Sequence, residues 1–459
     1  MTTHYRGTAS ERIAEFSASF SPQDLPHCAL LTVGRAIVDT VGVAIAGCGE
    51  PASNIAAGYA NTEGGSRLVA AWGRPVPLSL SGAAFYNGIA AHVLDFDDVS
   101  SPLRGHPSVA MLPALLALGQ ARASQGLRLA SAYVIGMEVM VRLARTMVSD
   151  HYTKGWHATA TLGMLGATVA CSHLLALSIR QTVNAIGLAV AQCAGTRASF
   201  GTMAKPFQSG HCNASALRAT LLAEAGMDAA SDALDGPQGF SMLYGNGESL
   251  AATLDDLGSA PLEILSSGLE IKKYPMCYAA HRAIDGMLDL RQEHEIDAAN
   301  IAAIHVHSNH RAMVPLIHPQ AQTGLEAKFS MPYAMAAATL DGQVRLASFT
   351  DEAVHRTAIR KLMEKVTTKE VLGHTTPRWN KIRVTLRDGR IYEKEVRTLR
   401  GSHESPLSNA DLNKKWHDCL NYGCHADPQS TFFDRALEIE TSSVASLMSC
   451  LPQLIGTAD

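Results

Sequence analysis

The sequence predicts a mainly α protein: a large all-helical domain with a smaller inserted α+β domain. From about Ser10 to Leu265 the chain is rich in Ala, Leu, Met and Gly, and apolar residues recur at three- and four-residue spacing, as on one helix face. After about Ser267, short segments alternate apolar and polar residues instead, as in half-buried strands. A chain of 459 residues with 47% hydrophobic content is long enough for two domains.

Apolar spacing predicts several consecutive helices in the first domain. The first of them ends at Gly47 and has one apolar face, and the charged residue Asp39 interrupts the apolar sequence around that face. The residues of that face are Leu30, Val33, Ala36, Ile37, Val41 and Ile45. Further helices are predicted over residues 78–94, 108–120, 130–147, 162–176, 180–195 and 212–225.

The smaller domain is predicted from two alternating segments, residues 301–307 and 382–386. Asp388 and Gly389 predict a two-residue hairpin turn into a further strand, because both residues tolerate positive φ. Helices are predicted over residues 333–340 and 351–366.

A linker follows at residues 402–408, and the periodicity of residues 409–420 and 432–450 is helical again. We therefore place the first part of the helical domain at 1–267, the α+β domain at 268–400 and a helical return to the first domain at 401–459.

Composition excludes several classes of partner and site. The net charge is −4, and no basic stripe with interleaved aromatic residues is present, so we expect no nucleic-acid partner. The polar start, Met1 to Arg12, and the lack of an apolar run of about 18 residues free of charge predict a cytoplasmic protein without a membrane partner.

Cysteine and histidine usage does not predict a metal site. The odd count of nine cysteines fits reduced thiols. Two Cys/His groups lack the paired spacing of a zinc site: Cys419, Cys424 and His425, and His305, His307 and His310. No glycine-rich phosphate loop occurs, so no metal and no cofactor is predicted.

An acidic segment at residues 91–108 carries the strongest functional signal. Asp95, Asp97 and Asp98 follow an apolar run, and a loop then presents Arg104 and His106. One interpretation is a helix end followed by a solvated turn. The other is a site in which carboxylates tune a proton-transferring histidine while the arginine holds an anionic substrate. The residues alone leave both open.

Four more segments carry candidate residues, each with a structural alternative. His157 lies at the polar start of an apolar helix, where it could simply satisfy the backbone. Lys205 precedes Pro206, which predicts an extended or turn position that can point the ammonium into a cleft or to the surface.

The last two segments lie in the smaller domain. The segment with Lys272, Lys273, Cys277 and His281 suits a polycarboxylate or a polar hinge. Tyr333 opens a helix and could equally be a core aromatic residue.

The Asp-Phe-Asp-Asp run and the later His-Pro-Ser step resemble the signature of the MmgE/PrpD family, which includes 2-methylcitrate dehydratases, cis-aconitate decarboxylases and iminodisuccinate epimerases. Lys-Pro-x-x-x-Gly-x-x-Asn-Ala from position 205, Lys-x-Tyr-Pro from position 272 and the block opening at Lys328 extend the resemblance. It implies a homodimer whose helical domain is made from both ends of the chain. It also implies a pocket with the catalytic residues Asp95, His106, His157, Lys205 and Tyr333 and the substrate-binding residues Arg104, Lys272, Lys273, Cys277 and His281.

Such residues suit proton transfer next to a carboxylate. We therefore predict a cofactor-independent lyase, a dehydratase or decarboxylase, acting on a small di- or tricarboxylic acid. The alternatives are an epimerase of an iminodisuccinate-like dicarboxylate, a non-catalytic carboxylate-binding protein and a hydrolase with a metal on the acidic cluster. Two positions depart from relatives within the family: Val99 stands where decarboxylases prefer Thr, and Cys277 where some members have His.

Overall fold

The computed structural model describes residues 7–266, 268–427 and 431–454. The chain divides into two compact units. The first contains the residues up to Glu270 together with those from Leu412 onward, and the second is Ile271–Asp411. Helices account for most of the regular structure in the described residues, so the prediction of a mainly α protein is confirmed.

The first unit is built from helices. Before the second unit they are α1 Ala9–Ser19, α2 His27–Gly47, α3 Pro51–Thr62, α4 Leu80–His92, α5 Pro107–Ala121, α6 Gly126–Thr153, α7 Leu162–Leu174, α8 Ile179–Val190, α9 Ala204–Glu224, α10 Phe240–Tyr244, α11 Ala251–Asp255 and α12 Glu263–Ser266.

The second unit contains α13 His281–Glu293, β1 Ile301–Asn309, α14 Gly324–Ala327, α15 Met331–Asp341, α16 Asp351–His355, α17 Thr357–Met363, β2 Val366–Val371, β3 Asn380–Leu386 and β4 Ile391–Val396. The chain then continues through α18 Asn409–Tyr422, β5 His425–Ala426, α19 Thr431–Leu437, α20 Val444–Met448 and β6 Gln453–Leu454.

Helix α2 forms the apolar centre of the first unit. In the described part of the chain it alone is long and apolar enough to cross a membrane by length and composition. Most of its residues are nevertheless buried against other helices. Its Asp39 is buried too and pairs with Lys415 of α18, whose Nζ lies 2.5 Å from Oδ1. This burial is what a core helix of a globular unit shows.

Helices α4 and α9 pack at close range, and this contact positions the candidate site. A Cβ atom added to Gly88 would lie 3.0 Å from the Cα atom of Gly210, and one added to Gly210 would lie 2.5 Å from the carbonyl oxygen of Phe85. Only glycine allows this approach. The C-terminal end of α4 at His92 therefore lies beside the first turns of α9.

Helix α9 begins at Ala204, not at residue 212 as predicted. The prediction of an extended or turn position for Lys205 is therefore wrong, because Lys205 and Pro206 both belong to the first helical turn. Proline is tolerated there, since the first N–H groups of a helix have no intrahelical partner.

Other predicted helices differ at their ends or are interrupted. The one predicted for residues 180–195 ends at Val190. The predicted helix 351–366 is two helices separated at Arg356, and the predicted helix 432–450 is α19 and α20.

The four-stranded sheet of the second unit has the order β2-β1-β3-β4. Strands β1 and β2 are parallel, and the other neighbours are antiparallel. Alternate residues of β1 and β3, such as Val306 and Ile382, are buried in a core with Ile284 of α13 and Met335 of α15. The alternation predicted for both segments thus corresponds to one buried sheet face.

The predicted two-residue turn between β3 and β4 is wrong. The connection comprises residues 387–390, and the N–H of Gly389 donates to the carbonyl of Leu386 at 3.0 Å. Within it, Gly389 has positive φ, 88°, and Asp388 does not. One left-handed residue suffices for this longer connection.

Candidate active site

The acidic segment folds back across the end of α4. The N–H of Asp95 donates to the carbonyl of His92 at 3.2 Å, and Asp95 has a φ of 53°. Aspartate enters this left-handed region more readily than most residues, which allows a sharp turn here. The side chains of Asp95, Asp97 and Asp98 consequently reach different partners.

Asp95 joins two of the predicted residues. Its Oδ1 lies 2.5 Å from Nζ of Lys205 and 3.8 Å from Nε2 of His106. The carboxylate and the ammonium are both buried, each residue being 8% exposed. An ion pair with little water around it interacts more strongly than one at the surface. The structure thus brings Asp95, His106 and Lys205 together.

Asp97 lies between two imidazole rings. Its Oδ2 is 2.8 Å from Nδ1 of His92 and 3.1 Å from Nδ1 of His106, the second contact without the alignment of a hydrogen bond. Burial alone would raise the pKa of Asp97, but the neighbouring His106 and His92 lower it well below its usual range. Burial lowers the pKa of His92 to about 4, against the effect of Asp97. The site therefore contains an ionised carboxylate beside a neutral buried imidazole.

The residues that the family resemblance implies for the pocket include neither Asp97 nor His92. In the structure Asp97 is the carboxylate nearer to His106. His92 could have been predicted as a site residue, because it is the last residue of a helix that is followed directly by the acidic segment.

His157 lies beside the same cluster, 2% exposed, with its ring stacked on that of His92 at a centroid distance of 5.9 Å. Its Nδ1 lies 2.7 Å from Oε1 of Gln208, whose Nε2 donates to the carbonyl of Thr196 at 2.9 Å. The amide is thereby oriented with its oxygen toward the ring, so Nδ1 carries the proton and Nε2 is the basic nitrogen. Burial, together with the neighbouring His92 ring and the Lys205 ammonium, lowers the pKa of His157 well below its usual range.

The predicted helix start at His157 is displaced. Residues 158–161 form a turn, and α7 begins at Leu162. The N–H of His157 donates to the carbonyl of Gly195 at 3.1 Å. The position of this imidazole is therefore set by pairing with the loop before α9.

Asp98 anchors the acidic segment to Ser108, near the start of α5. It accepts a hydrogen bond from the N–H of Ser108 at 3.2 Å and makes a short contact with the Ser108 hydroxyl, which lies 2.6 Å from the hydroxyl of Tyr133. Burial and the nearby Asp39 raise the pKa of Asp98 well above its usual range. The hydrogen-bonded Asp98 has a structural role here.

Lys415 of α18 holds the middle of the acidic segment. Its Nζ donates to the carbonyl of Phe96 at 2.8 Å and lies 3.9 Å from the centroid of the Phe96 ring. Because Lys415 also pairs with Asp39, helices α2 and α18 fix the backbone between Asp95 and Asp97.

The loop after the acidic run positions His106. Val99 exchanges backbone hydrogen bonds of 2.9 Å with Glu270 in both directions. A Cβ atom on Gly105 would lie 2.9 Å from Oγ1 of Thr159, and the N–H of His106 donates to this oxygen at 3.0 Å. Arg104 has a φ of 51° and is exposed.

The remaining predicted residues belong to the second unit and are described within it. Lys272 is 1% exposed. Burial lowers the pKa of the half-buried Lys273. The N–H of Cys277 donates to the carbonyl of Lys328 at 2.9 Å. His281 is buried, with Nε2 3.2 Å from the carbonyl oxygen of Met276.

Tyr333 is part of the core of the second unit. Its hydroxyl donates to the carbonyl of Ser348, and burial raises its pKa to about 12. These surroundings are those of a core aromatic residue, the structural alternative given for Tyr333 in the sequence analysis.

One group of described residues could hold a metal ion. The ligand atoms of His92, Asp97 and His106 lie within 4.8 Å of one another. The three carboxylates of the acidic run do not converge, because Asp95 pairs with Lys205 and Asp98 with Ser108. A cation shared by all three, as the hydrolase alternative requires, does not fit this arrangement.

Comparison with known families covers both units. The MmgE/PrpD N-terminal domain matches residues 11–253, and the MmgE/PrpD C-terminal domain matches residues 274–439. The chain belongs to the MmgE/PrpD family. The predicted family is confirmed, and the acidic segment lies within the N-terminal match.

Several curated proteins resemble this MmgE/PrpD chain. Cis-aconitate decarboxylase of Mus musculus is 29% identical over 411 residues, covering 83% of this chain and 80% of that protein. The Homo sapiens protein of the same name is 29% identical over 396 residues, covering 83% and 81%. Cis-aconitate decarboxylase of Aspergillus terreus is 25% identical over 392 residues, covering 79% and 78%.

Proposed function

We propose that this chain is a cofactor-independent carboxy-lyase that removes CO₂ from cis-aconitate or a tricarboxylate of closely similar shape. The named activity of the relatives supports the substrate, since they align over about four fifths of both chains. The observation that carries the chemistry is the connected cluster of Lys205, Asp95, His106 and Asp97.

Decarboxylation needs positive charge and a proton at one place. Breaking the bond to the departing carboxylate leaves an electron pair on carbon, which a nearby cation stabilises and an acid then protonates. The ammonium of Lys205 and the imidazole of His106 both contact Asp95 Oδ1. We assign the charge stabilisation to Lys205 and the proton delivery to His106.

His157 provides the complementary property. Its burial keeps the ring neutral. The hydrogen bond to Gln208 holds the proton on Nδ1, which leaves Nε2 as the basic nitrogen. A neutral acceptor close to an ammonium gives the site one group that accepts a proton and one that stabilises negative charge. When CO₂ leaves, the broken C–C bond is replaced by a C–H bond and one proton is consumed, so a group that can take up a proton from solvent is needed as well as a group that stabilises negative charge.

A substrate panel tests the proposal. The purified full chain is incubated separately with cis-aconitate, citrate, 2-methylcitrate and iminodisuccinate, and products are followed by proton NMR while released CO₂ is measured. We expect consumption of cis-aconitate with one equivalent of CO₂, before and after dialysis against EDTA.

Each alternative gives a different result. Loss of water from 2-methylcitrate without CO₂ would establish a dehydratase, and interconversion of iminodisuccinate isomers an epimerase. Saturable binding of cis-aconitate without turnover would establish a binding protein. Loss of activity in EDTA, restored by a divalent metal, would overturn cofactor independence and implicate His92, Asp97 and His106.

A further inference from the structure

Two arginines beside one tyrosine ring lie next to the catalytic cluster, and neither is used in the chemistry assigned above. We propose that Arg104 and Arg197 form a second carboxylate-binding subsite, which holds a carboxylate of the substrate that is not lost. The substrate class rests on the proposed function, but binding of a polycarboxylate at this subsite does not require turnover.

Tyr152 fixes the Arg197 guanidinium, and one nitrogen of that guanidinium is left unpaired in the part of the chain that the structure describes. Its Cζ lies 3.7 Å from the ring centroid of Tyr152, and Nη1 donates to the Tyr152 carbonyl at 2.9 Å. Its Nε is buried and has no hydrogen-bond partner among the described residues. The Nε and Nη2 atoms form the edge of a guanidinium that binds a carboxylate through two parallel hydrogen bonds.

Arg104 brings a second positive charge to the same ring. Its Cζ lies 5.7 Å from the Tyr152 centroid, and the residue is exposed. Within residues 7–266, 268–427 and 431–454, neither guanidinium forms an ion pair with a carboxylate. Two positive charges beside one ring, without a counterion, favour the binding of an anion nearby.

The arginine pair is continuous with the catalytic cluster through Phe200. The ring of Phe200 lies 5.9 Å from Cζ of Arg197, 5.4 Å from Nζ of Lys205 and 5.0 Å from the His157 ring centroid. The arginine pair and the catalytic cluster therefore border the same aromatic ring.

Backbone pairing holds this spacing. The N–H of Arg197 donates to the carbonyl of Gly155 at 2.8 Å, and the N–H of His157 donates to the carbonyl of Gly195 at 3.1 Å. These two bonds fix Arg197 relative to the catalytic imidazole. A preorganised cation loses less freedom on binding than a mobile surface arginine.

Isothermal titration calorimetry with tricarballylate, a saturated tricarboxylate that cannot lose CO₂ by this route, tests the subsite. Arg197→Gln and Arg104→Gln are compared with the wild type. A third variant, Arg197→Lys, keeps the positive charge but lacks the two parallel N–H donors of the guanidinium. Arg122→Gln is the matched control, because Arg122 is exposed and pairs with Glu224 at 2.7 Å. Melting temperatures confirm that each variant is folded.

We expect Arg197→Gln to weaken tricarballylate binding about tenfold or more and Arg197→Lys to restore it only in part. Arg104→Gln should weaken it less, and Arg122→Gln should leave it unchanged. If Arg197→Gln does not fold, the affinities of Arg104→Gln and Arg197→Lys for tricarballylate still test the subsite.

Wild-type affinity in the folded Arg104 and Arg197 variants would overturn the subsite, even if the chain decarboxylates cis-aconitate. Weakened binding by the same variants in a chain that turns over no substrate would keep the subsite and overturn the proposed function.

Discussion

The side-chain amide of Gln208 connects His157 to the loop before α9, with Oε1 2.7 Å from the imidazole Nδ1 and Nε2 bonded to the Thr196 carbonyl. A neutral amide fixes the tautomer of the ring without favouring its protonated form. A carboxylate at this position would accept the same hydrogen bond and also stabilise the imidazolium.

Gln208→Glu is therefore expected to raise the pKa of His157. The acidic limb of the pH–kcat profile should move upward by about one unit or more, because the ring becomes protonated at a higher pH. Gln181→Glu adds the same charge at the start of α8 and should leave the profile unchanged. Identical profiles for the wild type and Gln208→Glu would show that this contact does not tune the base.

Asp97 and Asp98 are neighbours in sequence, but we expect opposite responses to amidation. The pKa of Asp97 is lowered by His106 and His92 in spite of burial, so Asp97→Asn removes a charge from the cluster. It should reduce kcat about 100-fold or more.

Asp98→Asn is the matched control. Burial and the nearby Asp39 raise the pKa of Asp98 well above its usual range, and the amide oxygen of an asparagine can accept the hydrogen bond that the Ser108 N–H donates to Asp98. Its kcat should stay within about tenfold of the wild type. Equal losses in the two variants would contradict the assignment of charge.

The Asp39–Lys415 pair is expected to contribute to stability. Lys415→Met leaves Asp39 buried without its cation, which should lower the free energy of unfolding by about 3–5 kcal/mol in urea titrations. Lys414→Met, at an exposed position of the same helix, should change it by less than about 0.5 kcal/mol. A double replacement, Asp39→Leu with Lys415→Met, should recover much of the loss because neither charge of this pair is left buried without its partner. Equal stability of the two single variants would refute this role.

Stability should depend on pH through His173. Burial, with the charge of Arg128, lowers its pKa to about 4, whereas an unfolded histidine titrates near 6.5. As the pH falls, the unfolded state therefore binds a proton before the folded state does. The contribution of His173 to the free energy of unfolding, which is fully present above about pH 6.5, is lost between about pH 6.5 and pH 4.

His173→Gln removes this contribution. From pH 7 to pH 5 its unfolding free energy should fall by about 2 kcal/mol less than that of the wild type. His27→Gln, at an exposed position, should follow the wild type. A parallel fall in His173→Gln and the wild type would contradict the linkage.

The sequence predicted the helical fold well because apolar spacing reports burial directly. It did not predict β2, since Val366–Val371 is polar between its two ends and pairs as a strand only in the presence of β1. Helix ends were displaced where proline occurs in a first turn, as at Pro206, or where one periodic stretch is broken, as at Arg356.

In the candidate site, residue types and family motifs predicted Asp95, His106, His157 and Lys205, which lie close together, but did not predict their partners. Which carboxylate faces which imidazole depends on the turn at Asp95, which periodicity does not report. Gln208 could have been found, since it follows Lys205 by three positions and therefore lies on the same face of a helix. That signal required knowing that α9 begins before Lys205.

The most direct test of the account is the rate of CO₂ release from cis-aconitate by His106→Gln, compared with the wild type at equal concentration. We predict a loss of about 100-fold or more with an unchanged melting temperature, because this variant removes the proposed proton donor. Near-wild-type release of CO₂ by folded His106→Gln would contradict the claim that the cluster of Asp95, Asp97, His106 and Lys205 performs the chemistry.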